Sequence, residues 1–143
     1  MKRGMWLAAL GFAALAGTAL AQGDVIAERR AGLKRMGGHM DAIKPVAESR
    51  GDVKALEPRV DDMIAWFRSM PQRFPEGSST GDTKALPSIW SDRTGFETAD
   101  ARMVSQLEVL KKAAADGDAA AFATAFQATG PLCGACHRNY RAR

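Results

Sequence analysis

Cys133 and Cys136 stand three apart, and His137 directly follows the second cysteine. Cys-x-x-Cys-His is the attachment signature of c-type haem. The spacing has a chemical reason. Positions i and i+3 of a helix share a face, so both thiols can form thioethers to the vinyl groups of one porphyrin. His137 borders that face and can turn its imidazole to the iron, as proximal haem ligands do. Two other chemistries use paired cysteines. A thiol–disulfide redox pair wants a strand–helix context, and a zinc site wants two more Cys or His at close spacing. The chain has two Cys and two His, and the other histidine, His39, is far away in sequence.

The N-terminus bears on where such a site would be assembled. Lys2 and Arg3 precede a run of apolar and small residues from Met5 to Leu20, and Ala19-Leu20-Ala21 is a small-x-small cleavage site before Gln22. This predicts a signal peptide over residues 1–21. The run is too short and wrongly flanked for a membrane span, and a retained N-terminal anchor is the alternative. Export leads to an oxidising compartment, where Cys133 and Cys136 would tend to pair as a disulfide unless haem consumed both thiols. Export and the haem motif together predict a periplasmic c-type cytochrome. Removing 21 of the 143 residues leaves 122, one domain over residues 22–143. The formal charge falls from +4 to +2 as Lys2 and Arg3 leave, which gives no electrostatic footprint for nucleic acid.

The elements that must position the motif all read as helices. The first spans about Asp24 to Lys44, with Ile26, Leu33, Met36, Met40 and Ile43 as its apolar stripe and Pro45 predicting its end. Gly37-Gly38 inside it predicts close packing against the backbone, because mid-helix glycine costs up to ~1 kcal/mol relative to alanine. The second runs from about Asp52, an N-cap type, to Met70, with Val53, Leu56, Val60, Met63, Phe67 and Met70 as its stripe; Pro58 should bend it or delay its start. Residues 72–87 read as a long loop, Phe74 to Gly81 being turn chemistry. A connection of that length is at the edge of the range for bundles and suggests that it covers something. The third helix runs from Ser88, as N-cap, to Ala115 with Ile89, Phe96, Met103, Leu107 and Leu110 inward. The fourth starts after Asp118 as N-cap and reaches Tyr140, with Gly130-Pro131 predicting a kink before the haem motif. Four amphipathic helices predict an all-α fold, an antiparallel four-helix bundle with haem c near the C-terminal end of the last helix.

These residues also carry a resemblance. Arg29-Arg30-Ala31-Gly32-Leu33 with Met36-Gly37-Gly38-His39-Met40, Phe74-Pro75 with Gly77, Ile89-Trp90, Ala115-Asp116-Gly117-Asp118 and Cys133-x-x-Cys136-His137-x-x-Tyr140-Arg141 resemble class II cytochrome c, the cytochrome c′ family, over the whole mature chain. The resemblance implies one haem c held through Cys133 and Cys136, with His137 as proximal ligand. It implies that Arg29 lies near a haem propionate, where a guanidinium makes charge-assisted bonds. Arg30 falls where relatives often carry a polar haem contact, Leu33 at the distal face, Trp90 at the haem crevice, and Arg141 beside the proximal histidine. Each has a plainer reading. Arg29 could be a solvated charge, Leu33, Met36, Met40 and Trp90 core, and His39 a surface residue.

The family divides at the distal position. A methionine there makes a low-spin, six-coordinate electron carrier. An apolar non-ligand leaves a high-spin, five-coordinate iron that can take nitric oxide or carbon monoxide. The position is Leu33, which has no lone pair. Met36, the alternative sixth ligand, is rotated away from it by about 60° on an ideal helix. The expected function is therefore one-electron transfer with an unspecified redox partner, binding of small diatomic gases, or both, rather than an enzyme's chemistry. The resemblance also implies a homodimer through the first two helices, and Ile64 and Trp66, outside the main stripe, are the candidate apolar surface.

Overall fold

Helix-breaking residues divide the chain, but not always where the sequence pattern suggests. A computed structural model of the protein describes residues 13–143, with side chains from Asp24 onward. The expected signal peptide lies outside the described residues except for the helical backbone of its last part. The helices are α1 (Ala13–Ser49), α2 (Glu57–Ser69), a single turn α3 (Ser88–Ser91), α4 (Arg93–Asp116) and α5 (Ala119–Tyr140), with 3₁₀ turns at Lys54–Leu56 and Pro71–Arg73. The four long helices form the antiparallel bundle, with α4 packed on both α2 and α5.

α1 runs through Pro45 instead of ending there. Proline removes one donor, and burial of Ile43 and Ala47 on either side holds the last turns. The helix stops at Arg50, whose φ of 53° is left-handed. Gly51 N then bonds Val46 O at 2.9 Å and Arg50 N bonds Ala47 O at 3.4 Å, a Schellman closure. The second helix starts late, as Pro58 predicts, and α2 opens with proline in its first turn after Leu56 as N-cap. Asp52 is not its cap, and its Oδ1 accepts instead from Lys54 N at 3.2 Å ahead of the 3₁₀ turn.

The third predicted helix is broken. Ser88 is no cap; its hydroxyl donates to Asn139 O at 2.6 Å. The chain turns at Asp92, with φ −121° and ψ 54°, and Asp92 caps α4 by accepting from Gly95 N. Tyr140 Oη donates to the other Asp92 oxygen at 2.7 Å, so the far end of α5 fixes this break. Asp118 caps α5 through Ala120 N and Ala121 N, as expected. α5 continues as one helix through Gly130-Pro131 to Tyr140, with Pro131 supplying no N–H to the ladder.

The predicted stripes supply the core. Met36, Ile43, Val60, Met63, Phe96, Leu107, Leu110 and Phe122 are buried together. Two expectations about helix surfaces fail. A Cβ on Gly37 or Gly38 would meet nothing within 4 Å; the close approach is at Gly32, against the Trp66 indole. Trp66 and Ile64 are themselves buried within the chain, at 4% and 5% exposure, so they offer no apolar surface to a second copy.

The long loop is tied down at both ends. Phe74 is buried beside Phe96, with ring centroids 5.1 Å apart. Ala85 bridges Arg141, Leu86 N bonds Tyr140 O at 3.0 Å, and Ala142 N bonds Lys84 O at 2.8 Å. The loop is thereby joined to the segment that follows the Cys-x-x-Cys-His motif.

Candidate functional site

α1, α2, α4, α5 and the loop surround a cavity of about 810 Å³. Cys133, Cys136 and His137 project into it from the last turns of α5. The i, i+3 spacing puts both sulfurs on the cavity side of that helix. Neither cysteine is in a disulfide, and both are half-buried. Desolvation pushes both thiols up; Cys136 reaches about 11, with the Asp100 charge as the second cause. Both are therefore protonated at neutral pH. His137 shifts the other way, held down by desolvation and then by the Arg141 cation. It is a neutral imidazole with a free lone pair at neutral pH, the form that binds a metal. Among the described residues no group of three or more His, Cys, Asp or Glu stands close enough to hold a metal ion.

The walls are apolar and the mouth is basic. Phe67, Met70, Ile89, Phe96, Met103 and Leu132 supply apolar surface, and Arg30, Lys34, Lys84 and Arg141 supply cations. Arg30 pairs with Asp82 of the loop across the mouth. The cavity suits a large flat apolar group with an anionic edge, and its volume is in the range of small-molecule and cofactor sites.

Arg29 is where the loop closes. It is only 1% exposed, and its guanidinium donates to Ser78 Oγ at 2.8 Å, Ser78 O at 2.8 Å and Thr83 Oγ1 at 2.7 Å. Its carbon lies 4.6 Å from the Phe74 ring centroid and 5.9 Å from that of Trp90. The long loop therefore covers an arginine. Of five N–H donors, two are left, and Arg29 lines the cavity. Trp90 departs from its expected place. It is not among the cavity-lining side chains; it stands behind Arg29, with its indole N–H donating to Pro75 O at 2.9 Å.

Leu33 and Met36 separate clearly. Leu33 lines the cavity and is 38% exposed. Met36 is 4% exposed in the core and does not line the cavity. His39 lies away from it, bonded through Nε2 to Asp62 at 2.7 Å.

One cavity residue escaped the sequence reading. Asp100 on α4 is 6% exposed, lines the cavity, and has an Oδ1 with no hydrogen-bond partner. Its carboxyl is pushed up to about 7, by desolvation first and by the Glu97 charge second. The signal was available: Asp100 is four residues after Phe96 and three before Met103, on the inward stripe itself.

A sequence model of the family described as cytochrome c′ matches residues 24–141. The chain belongs to the cytochrome c′ family. It is 35% identical to cytochrome c′ of Rhodopseudomonas palustris over 133 residues, covering 89% of this chain and 88% of that one. It is 32% identical to cytochrome c-556 of Agrobacterium tumefaciens, covering 80% of this chain and 94% of that one. Its fold superposes with a TM-score of 0.78 and 26% identity on a nitric oxide complex of a mutant cytochrome c prime from Alcaligenes xylosoxidans, covering 85% of this chain and 96% of that one. This family binds covalent haem c, and Cys133 and Cys136 provide its attachment motif here. The residues fit the group: two thiols and a neutral imidazole on one wall, apolar faces around them, and cations at the mouth.

Proposed function

We propose that this cytochrome c′-family chain is an exported, periplasmic protein whose mature domain is residues 22–143 and whose haem iron is five-coordinate and high-spin. It serves one-electron transfer, small-diatomic-gas binding, or both. His137 would hold the iron as its proximal ligand. Bound haem would supply one-electron iron chemistry, and the rest is the chain's work. Cys133 and Cys136 fix the porphyrin edge. Arg29 has two unused donors to offer a propionate. Arg30 and Arg141 add positive charge at the mouth, and Trp90 supports Arg29 from behind.

The observation that carries this reading is the separation of Leu33 from Met36. Leu33 lines the cavity and Met36, buried in the core, does not, which supports Leu33 rather than Met36 as the residue over the distal face. Leu33 offers no hydrogen bond, so its face favours uncharged diatomics over stabilised dioxygen. The nitric oxide complex of the Alcaligenes protein supports a gas-binding role in a bundle of the same shape. The basic mouth supports docking of a redox partner through charge complementarity.

Two measurements test the proposal. Acid–acetone extraction should leave the haem on the protein. Ferric and ferrous optical spectra, with and without carbon monoxide, should be high-spin and should change on carbon monoxide addition. A low-spin ferric spectrum indifferent to carbon monoxide would overturn the five-coordinate assignment.

A further inference from the structure

Asp100 has a cost that packing does not explain. A carboxyl placed on an inward helical stripe loses its hydration, and an unpartnered buried polar atom costs about 1–3 kcal/mol. The structure gives Oδ1 no partner to offset this. Asp100 lines the cavity, the space the haem would take. We infer that Asp100 is the proton site coupled to the haem electron, its carboxylate taking a proton from solvent as the iron takes an electron and releasing it on oxidation. The inference rests on the electron-carrying reading above.

The balance is simple. Reduction brings one electron from a one-electron donor protein, and one O–H bond forms at Asp100 from a solvent proton. Oxidation breaks that bond and returns both. Reduction would remove one positive charge from an iron held by His137 in the cavity that Asp100 also lines, where a desolvated carboxyl feels Coulomb interactions strongly. The proton then binds more tightly in the ferrous state than in the ferric state. The reduction potential must fall as pH rises between the two proton affinities.

The other groups around Asp100 do not supply this titration. On α4, Glu97 stands one turn back and raises the Asp100 affinity for a proton without lining the cavity. On α5, Cys133 and Cys136 become thioethers. Tyr140 is pushed up to about 12 by its hydrogen bond to Asp92. His137 is taken by the iron, and the charge that reaches it is that of Arg141. α1 contributes the basic side chains Arg29, Arg30 and Lys34 and no carboxylate to this wall. The loop adds Asp82, paired with Arg30, and Lys84. α2 adds only the apolar Phe67 and Met70 to this wall. Asp100, held near 7, remains. The haem propionates are the rival that an experiment must separate.

The test is the reduction potential of the purified holoprotein from pH 5 to 9, with the red, acid–acetone-resistant colour as a separate check that haem is in place. Wild type should show a slope approaching 59 mV per pH unit, the one-electron equivalent of a tenfold change in equilibrium. Asp100→Asn should flatten the curve over that window and should remove a carboxylic-acid C=O band from the reduced-minus-oxidised infrared spectrum. An unchanged slope in Asp100→Asn would assign the proton to a propionate and overturn the inference. Should Asp100→Asn fail to hold haem, Glu97→Gln decides. Losing its negative charge should move the sloping window to lower pH, and an unmoved window counts against Asp100.

Discussion

The Trp66 indole lies against the backbone of α1 at Gly32, so close that a Cβ there would stand 2.8 Å from Cζ2. Trp66 is thereby 4% exposed. Glycine is what allows α2 to bring a tryptophan onto α1, one residue from the cavity residue Leu33. The helix gives up about 1 kcal/mol of propensity at that point in return for burial of a large ring.

Alanine substitutions at the α1 glycines should therefore have opposite signs. Gly32→Ala gains propensity but forces the indole aside, and should destabilise by about 1–3 kcal/mol, the usual cost of overpacking. Gly37→Ala meets nothing and should stabilise by up to about 1 kcal/mol. Urea unfolding of the two variants against wild type checks both. A stabilised Gly32→Ala protein would show that Trp66 moves freely.

The Arg29 cluster should hold the loop. Arg29→Ala leaves Ser78 O and both hydroxyls without their buried donor, and an unsatisfied buried acceptor costs about 1–3 kcal/mol. Arg29→Lys keeps the charge but loses the planar fork, and should fall in between. Limited proteolysis should cut both variants first between residues 75 and 83, which wild type protects. Equal protection in all three proteins would place the loop's stability elsewhere.

These two clusters show what the sequence could and could not convey. The Cys133–His137 motif and the stripe from Val53 to Met70 were legible because spacing alone defines them. Asp118 was legible as a cap because its partners, Ala120 and Ala121, are its own neighbours. The break at Asp92 was not. Ser88 and Asp92 are both capping types, and the choice between them is made by Tyr140, 48 residues away. Gly32 and Gly37-Gly38 look alike in sequence; the helix that crosses one and not the other distinguishes them. Arg29 reads as a surface charge until the loop is folded over it. Asp100 sits on the inward register of α4, but a lone carboxylate on a helix is usually solvated, so register alone does not mark it.

The Tyr140–Asp92 bond predicts a pH dependence at the alkaline end. The hydrogen bond to Asp92, then desolvation, pushes the Tyr140 hydroxyl up to about 12, against about 10 for a free tyrosine. The folded state thus holds this proton where the unfolded chain has lost it. The contribution is complete below pH ~10 and is lost as pH rises toward 12. Tyr140→Phe should cost about 1.5–3 kcal/mol at neutral pH, as for a hydrogen bond to a charged group. It should also remove the alkaline loss between pH 10 and 12. Thermal melts across that range in both proteins, run alongside an ultraviolet titration of the single tyrosine, check the sign.

Leu33 and Met36 make the sharpest pair, because each has a different neighbourhood and each substitution a different readout. Leu33 faces the cavity, so Leu33→Ala should enlarge the distal space and speed carbon monoxide binding while changing apoprotein stability little. Leu33→Met brings a thioether sulfur to the same place and should shift the ferric spectrum to low-spin. Met36 is buried among core side chains, so Met36→Ala should cost about 2–5 kcal/mol through the lost contacts and the cavity left behind. Its haem spectrum should match that of wild type. The two effects are separable because stability reads the core and the optical bands read the iron. A Met36→Ala protein that keeps its stability but loses a low-spin wild-type spectrum would make Met36 the sixth ligand, with α1 rotated by most of a residue step from the register described above.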